Sequence, residues 1–542
     1  MHASLSQPLA SFPFFLPSPH EDLAIARAQA DSLSLPGLHG YDHPESFFHY
    51  DWVYFLPETY LSLMGLILLM WAVWIATTRS YGYPALSAPY GLLGGFTLLL
   101  TAALYMGGVE GVDREIFNKG LSLDPLASYL SVLLLCATLA TLLLAGSYHT
   151  HPLDRLPPYE INALILYAGL SMILLVQAND LLMVYLCIEF QSMCLYVLAA
   201  SKRQSVLSVE AGLKYFVLGA LASAIFLFGA SLLYGLTGFT KFDDISLFLQ
   251  ASDPTTLDTP LLMGLLCLGV GLMFKVGAAP FHIWVPDVYE GAPTPVTAFF
   301  AIGPKMALFS IILRILSLSP TSIDAAWGLL LSGCAGLSFL VGAWGALAQT
   351  KLKRIFAYSS VGHVGWILLS LSCVGEAGYT ATLVYMSLYI CMSLLVFGIL
   401  LSLRSAGESR RILRLHELRG LGHTHPMMAF CLSVGVLSMA GIPPLAGFAS
   451  KALVLMAAVE AHAYGIAFLG LVTSVVSTFY YLRIVSIMYF EGQPVDVHEW
   501  ETPDGYQAGL IGGMTLLIIG FGLWPQAFLT GAKYVALSLV LR

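Results

Sequence analysis

The feature that most constrains this chain is a series of long apolar stretches that runs from residue 53 almost to the C-terminus. A helix needs about 20 apolar residues to cross the hydrocarbon core of a bilayer. With a mean hydropathy of +0.79 and 10% charged residues, these stretches exclude a soluble protein of this size. They predict an all-α polytopic membrane protein with about fourteen transmembrane helices. The predicted spans are 53–78, 84–108, 124–147, 160–178, 180–200, 211–235, 260–282, 295–319, 324–347, 353–373, 378–403, 425–458, 462–491 and 506–530.

The distribution of Lys and Arg predicts the orientation, because cytoplasmic or matrix loops are enriched in both residues. The even-numbered loops hold only Arg114, Lys119 and Lys241. We therefore expect the odd-numbered loops to face the matrix or cytoplasm and both termini to lie on the opposite side, the intermembrane space in a mitochondrion. The odd-numbered loops hold Arg79, Arg155, Lys202, Arg203, Lys351, Lys353, Arg354, Arg404, Arg410, Arg411, Arg414 and Arg419.

Residues 1–52 differ from the rest, since they are rich in Pro, Ser and His and hold more acidic than basic residues. A mitochondrial presequence is Arg-rich and poor in acidic residues, so this composition argues against one. We interpret 1–52 as an extramembrane N-terminal extension that docks on a partner.

The cysteine pattern argues against a bound cofactor. All eight cysteines fall inside apolar segments, none forms a CxxC motif, and no His/Cys cluster has the spacing of metal ligands. The chain has no Gly-rich phosphate loop either. We expect no iron–sulfur cluster, haem, zinc or nucleotide in this chain, and no nucleic-acid partner.

Ionisable residues inside the predicted spans are the candidates for function, because each costs at least about 2.5–3.5 kcal/mol to insert. Strings of such groups carry protons through a low-dielectric interior. Simpler explanations exist: Lys214 could form a helix-end ion pair with Glu210, His363 could be a satisfied core histidine, and the others could form static ion pairs. The candidates are Glu189, Lys214, Lys275, Lys305, His363 and Lys451.

Prolines near two of these lysines predict broken helices. Pro280 follows Lys275 by five residues, and Pro443 and Pro444 precede Lys451. Proline removes a backbone hydrogen bond, and broken helices at corresponding places are typical of inverted-repeat transporters. We predict two inverted five-helix repeats, and we expect the opened turns to hydrate the lysine so that it can titrate. The predicted boundaries are 53–152 for the first three helices, 153–320 and 321–492 for the repeats, and 493–542 for the last loop and C-terminal helix.

Several strings resemble a known family. "AGLKYFVLGALASAIFLFGASLLYG", "GLMFKVGAAPFHIWVPDVYEGAPTPVTAFFAIGPK", "KLKRIFAYSSVGHVGWILL" and "AGIPPLAGFASK" look like the antiporter-like membrane subunits of respiratory complex I. The detail "IEFQSMCLYVLAASKRQS" favours the NADH dehydrogenase subunit 2 branch over subunits 4 and 5, and the overall resemblance is to its plant and algal mitochondrial form.

This resemblance implies a proton-translocating subunit without a redox centre, in which Glu189, Lys214, Lys275, Lys305 and Lys451 match the family's glutamate and lysines. It also implies sister antiporter-like subunits and lipids such as cardiolipin as partners, with NADH, FMN, iron–sulfur clusters and ubiquinone bound by other subunits. The path expected is uptake near Glu189 and Lys214, then Lys275, Lys305, His363 and Lys451. The implied location is the mitochondrial inner membrane, or alternatively a bacterial plasma membrane.

Three other functions stay open from the sequence. An Mrp-type cation/proton antiporter subunit shares these motifs, although Na⁺ prefers oxygen ligands to lysines. A plastid ferredoxin–plastoquinone counterpart and a purely structural spacer are the others.

Overall fold

The computed structural model describes residues 51–77, 87–108, 114–150, 158–202, 204–251, 259–318, 321–403, 413–491 and 503–541. Nearly all of the predicted extension at 1–52 lies outside these residues.

The described part of the chain is a succession of helices joined by short connections, with one small hairpin. Its α-helices are α1 Leu56–Thr77, α2 Ser87–Gly108, α3 Pro125–Thr150, α4 Pro158–Gln177, α5 Leu181–Ala199, α6 Val206–Thr237, α7 Phe242–Ala251, α8 Thr259–Val276, α9 Trp284–Gly291, α10 Thr294–Ser317, α11 Thr321–Leu347, α12 Leu352–Ser372, α13 Glu376–Ser402, α14 Leu421–Thr424, α15 Pro426–Ala440, α16 Ala446–Glu460, α17 Tyr464–Tyr489, α18 Gly505–Leu523 and α19 Gln526–Val540.

Thirteen helices in the described ranges are long and apolar enough to cross a membrane. The predicted twelfth span, 425–458, is formed instead by two shorter helices, α15 and α16. The all-α polytopic class is therefore confirmed, with thirteen candidate spans and one span divided between two shorter helices. The inverted relation between the two five-helix units stays a prediction.

Two details differ from the expected helices. The last predicted span, 506–530, is divided between α18 and α19, because Pro525 follows Trp524 and a proline is poorly accommodated inside a helix. Between α2 and α3 the chain forms an antiparallel hairpin of β1 Arg114–Ile116 and β2 Leu121–Leu123. Strands of three residues are too short to give a clear alternation in the sequence.

Helix α10 lies at the centre of the protein. The most apolar window of α10 is 100% buried, whereas the corresponding windows of α1, α17 and α18 are 28% buried. The outer helices therefore leave apolar faces for lipid or other subunits, while every polar group on α10 must find its partner within the protein.

Both predicted breaks are present. Helix α8 ends at Val276, Gly277 adopts a φ of +80°, and α9 begins at Trp284. Helix α15 ends at Ala440, Gly441 adopts a φ of +88°, and α16 begins at Ala446. Glycine reaches this left-handed conformation without a Cβ penalty, so both helices end in a common way. The breaks place Lys275 in the last turn before a gap and Lys451 in the second turn after one.

A buried ion pair joins the hairpin region to the end of α10. Arg314 donates to Asp124 from both terminal nitrogens, at Nη1–Oδ2 2.9 Å and Nη2–Oδ1 3.2 Å. It also donates to Ser122 Oγ and to the Val176 carbonyl. The side chains of Arg314 and Asp124 are 1% and 5% exposed, so this bidentate pair is enclosed by protein.

Candidate functional site

Lys275 faces the polar side of α5. Its ammonium donates to Ser192 Oγ at 2.8 Å and to the Tyr196 hydroxyl at 3.4 Å. Glu189 lies one turn before Ser192 on the same face of α5. Glu189 Oε1 is buried and has no hydrogen-bond partner among the described residues. Lys275 therefore contacts the face of α5 that carries Glu189, through Ser192 and Tyr196. A direct pairing of Glu189 with Lys275 stays a prediction.

Lys305 is held in the centre of α10 by a neutral group. Its ammonium donates to Ser360 Oγ on α12 at 3.0 Å, and its side chain is almost fully buried. The rings of Tyr289 and Tyr389 lie 5.7 and 5.9 Å from Nζ, within the range of a cation–π attraction. None of these groups is an acid, so the ordinary static ion pair does not describe Lys305.

His363 lies one turn along α12 from Ser359 and Ser360, between two tyrosine hydroxyls. Its Nδ1 is 2.7 Å from the Tyr385 hydroxyl, and its Nε2 is 3.3 Å from that of Tyr481. The Tyr481 hydroxyl also bonds Ser359 Oγ. Each of these groups is both a donor and an acceptor, so a proton can be passed between them in either direction.

Lys451 is bound by the end of α15. Its ammonium donates to the Ala440 carbonyl at 2.7 Å and to the Met439 carbonyl at 3.0 Å. Carbonyls in the last turn of a helix have no partner within that helix, and they carry the negative end of its dipole. The break therefore supplies protein oxygens to the ammonium, in addition to any water it admits.

A cavity connects His363 with Lys451. Its volume is about 20 Å³, and its walls include both residues together with Ser359, Tyr481 and Trp366. A cavity needs about 10–15 Å³ to hold a water molecule. Polar lining and sufficient size make this cavity suitable for one bridging water.

Lys214 belongs to a different set of charges. Its ammonium bonds Glu210 at 2.7 Å and Asp287 on α9 at 2.9 Å, and its side chain is 40% exposed. The helix-end pair with Glu210 is therefore present, and Asp287 is a second partner on another helix. These two acids, rather than Glu189, make the described polar contacts of Lys214.

The structure thus divides the six predicted residues into three groups. Lys214 lies in a surface charge cluster. Glu189 and Lys275 lie on the neighbouring helices α5 and α8. Lys305 and His363 each contact hydroxyl groups, and the cavity adjoins both His363 and Lys451. The sequence analysis missed the residues that bridge them: Ser192, Tyr196, Asp287, Ser359, Ser360, Tyr385 and Tyr481. Four of them carry a sequence signal, since Ser192 and Tyr196 follow Glu189, and Ser359 and Ser360 precede His363, at helical spacing.

Residues 178–477 match the family described as NADH:quinone oxidoreductase/Mrp antiporter, transmembrane. The match includes α5 to α16 and all six predicted site residues. The chain belongs to this family.

Curated members of the family resemble the chain over nearly its whole length. It is 39% identical over 497 residues to NADH-ubiquinone oxidoreductase chain 2 of Marchantia polymorpha, covering 91% of this chain and 100% of that protein. It is 40% identical over 486 residues to NADH-quinone oxidoreductase subunit N of Rhodospirillum rubrum, covering 89% of this chain and 96% of that protein.

Solved structures of the family agree in fold. A chain of respiratory complex I from Thermus thermophilus superposes with a TM-score of 0.72 at 31% identity, covering 88% of this chain and 98% of that one. A chain of the Mrp complex from Dietzia superposes with a TM-score of 0.75 at 22% identity, covering 89% and 97%. The second similarity shows the shared fold alone.

Proposed function

We propose that this chain is the proton-translocating membrane-arm subunit of an NADH:ubiquinone oxidoreductase. The observation that carries the proposal is that Lys305 and Lys451, buried in separate helices, are bound by hydroxyl and carbonyl oxygens. A carboxylate partner would hold a buried lysine in its charged form, whereas neutral oxygens leave it able to give up its proton.

The proposed path follows the contacts. A proton on Lys275, which contacts Ser192 and Tyr196, is passed toward Lys305 on α10. Lys305 contacts Ser360, the neighbouring Ser359 contacts Tyr481, and Tyr481 contacts His363. The cavity then supplies a water between His363 and Lys451. From Ser359 to His363 the steps are hydrogen bonds, and from His363 to Lys451 there is space for one water. The transfers from Lys275 to Lys305 and from Ser360 to Ser359 are part of the proposal and have no direct hydrogen bond in the described residues.

The oxidation of NADH and the reduction of ubiquinone are assigned to other subunits. This chain supplies side chains that hold and move protons, and it carries no redox centre in this proposal. Its partners are the other membrane-arm subunits, including sister antiporter-like subunits, and lipids such as cardiolipin. The proposed location is the mitochondrial inner membrane, with both termini on the side of the intermembrane space.

A cation/proton antiporter of the Mrp type is the second candidate, and it is supported by the shared fold of the Dietzia complex. The central positions at 275, 305 and 451 are lysines, which repel Na⁺ and offer it no oxygen ligand. The chemistry of these positions therefore favours the proton-translocating subunit.

Replacing Lys275 by Met tests the proposal. Met fills a similar volume but cannot carry a proton, so we expect assembled complexes to pump fewer protons per NADH oxidised. The measurement is NADH-driven acidification of vesicles, divided by the rate of ubiquinone reduction.

The matched control is Lys533→Met, which changes an exposed lysine on α19 outside the path. Normal proton-to-electron ratios in a fully assembled Lys275→Met complex would contradict the proposed function.

A further inference from the structure

A cluster of six charged side chains, three acidic and three basic, connects the first turns of α6, the short helix α9 and the start of α12. Acidic and basic side chains alternate along it. In order of contact they are Glu210, Lys214, Asp287, Arg354, Glu290 and Lys351. The cluster is electrically balanced, and every member is within ion-pair distance of an opposite charge.

Asp287 occupies the middle of this cluster and has one oxygen for each of two cations. Its Oδ2 lies 2.9 Å from Lys214 Nζ, and its Oδ1 lies 3.5 Å from Arg354 Nη2. The lysine is on α6, and the arginine is on α12, the helix that also carries His363. Asp287 itself is on α9, the short helix after the break that follows Lys275.

Close packing fixes α9 against α6. A Cβ added to Gly291 would lie 2.4 Å from the Leu207 carbonyl oxygen and 2.6 Å from Ala211 Cβ. Only glycine allows this approach, and the approach places Asp287 one helical turn away beside Lys214.

Lys214 is also adjacent to the buried part of the path. Its neighbour Tyr215 packs edge-on against Tyr196 with ring centroids 4.9 Å apart. The Tyr196 hydroxyl accepts a hydrogen bond from Lys275. The pair of rings formed by Tyr215 and Tyr196 therefore separates the Lys214 position on α6 from Lys275.

We propose that Asp287 is a positioning residue for Lys214. It holds the Lys214 ammonium in the cluster, and when the lysine side chain turns inward, Arg354 remains as the counter-ion of the Asp287 carboxylate. The Asp287 side chain is 35% exposed, so its carboxylate is only partly hydrated and is stabilised by a nearby cation. Because Arg354 already faces Oδ1, Asp287 keeps a partner after Lys214 leaves. Glu290 and Lys351 keep the arginine in place. The proposal rests on the function proposed above, since it concerns how a proton enters that path.

A double-mutant cycle tests the proposal in the assembled complex. We expect Asp287→Asn to lower the number of protons pumped per NADH, and Asp287→Glu to restore part of it. If Asp287 acts through Lys214, the double variant Asp287→Asn with Lys214→Met loses no more than Lys214→Met alone. Fully additive losses, or normal pumping by assembled Asp287→Asn, would overturn the proposal.

Two further variants make the outcome unambiguous. Glu491→Gln is the control, because it breaks an exposed ion pair with Arg419 away from the cluster and should leave pumping unchanged. If Asp287→Asn does not assemble, Arg354→Gln applies the same test: removing the second cation should slow pumping, and normal pumping contradicts the idea.

Lys275→Met separates this inference from the proposed function. If Lys275→Met impairs pumping while assembled Asp287→Asn pumps normally, only the role of Asp287 falls. If Lys275→Met pumps normally, the proposed function itself falls.

Discussion

The hydrogen-bond acceptors of Lys451 are backbone carbonyls that a lysine in an unbroken helix would not have available. The two carbonyl oxygens of Met439 and Ala440 accept from it because α15 ends there. Its site thus stabilises the ammonium without an opposite full charge. Removing the proton takes the charge away from these two hydrogen bonds, which a neutral amine can still donate more weakly. Beside a carboxylate, the same step would also leave a buried negative charge without its partner.

Replacing Lys451 by Arg separates charge from proton release. Arginine keeps a positive charge and can donate to the same carbonyls, but it does not deprotonate in proteins. We expect Lys451→Arg to assemble better than Lys451→Met and to be equally unable to pump through this position. The measurements are the yield of assembled complex and the protons pumped per NADH. Pumping at the normal ratio by Lys451→Arg would show that Lys451 does not pass a proton.

The charged site residues could be predicted from the sequence, because an ionisable side chain inside an apolar span is energetically costly. A lysine such as Lys305 is visible in a sequence because it interrupts an apolar span. Its partners are not visible: Ser360 is 55 residues away, and serine is common in membrane helices. Likewise His363 meets Tyr481 across 118 residues. No helical periodicity relates residues on separate helices.

At the scale of an element, the break between α15 and α16 depends on glycine as much as on proline. The Gly447 amide donates to Ser438 Oγ at 3.0 Å. A Cβ on Gly447 would lie 1.7 Å from the Ser438 carbonyl oxygen, which no side-chain rotation relieves. The prolines predicted that the helix would break, but the close approach that shapes the break depends on a backbone contact invisible in the sequence.

Gly447→Ala should therefore reduce assembly of the complex, because the two halves of the broken helix would have to separate. The control is Gly512→Ala on α18, where an added Cβ meets no atom within 4 Å. There the change should be neutral or slightly stabilising, by up to about 1 kcal/mol. The measurement is the amount of assembled complex on native gels. Equal assembly of the two variants would contradict this account of the break.

At the scale of the whole molecule, the ion pair between Arg314 and Asp124 links the start of α3 to the central helix α10. Asp124 precedes α3 and also accepts a hydrogen bond from the Ala127 amide at 2.7 Å. Arg314 is in the last turns of α10. The apolar spans predicted both helices, but a contact 190 residues apart in sequence arises only when they pack together.

Arg314→Leu should destabilise the protein by about 3–5 kcal/mol, because it leaves the buried Asp124 carboxylate without its cation. Adding Asp124→Asn should recover part of this loss, since asparagine is neutral and still caps a helix. The measurement is the fraction of complex that survives graded heating in detergent. A double variant no more stable than Arg314→Leu would show that the arginine matters for a reason other than the carboxylate.

Because the chain is made from its N-terminus, the contacts of the central helix α10 cannot all form at the same time. The partners of Arg314 are Ser122, Asp124 and Val176, which all precede α10 in the chain and are already made when it emerges. The partner of Lys305 is Ser360, which follows α10 by a further helix and a half. Arg314 at one end of α10 can therefore find its partners as soon as α10 leaves the ribosome, whereas Lys305 in the middle can find Ser360 only after α12 has been made. Until the ribosome has added residue 360, the newborn chain contains Lys305 but not the serine that binds it.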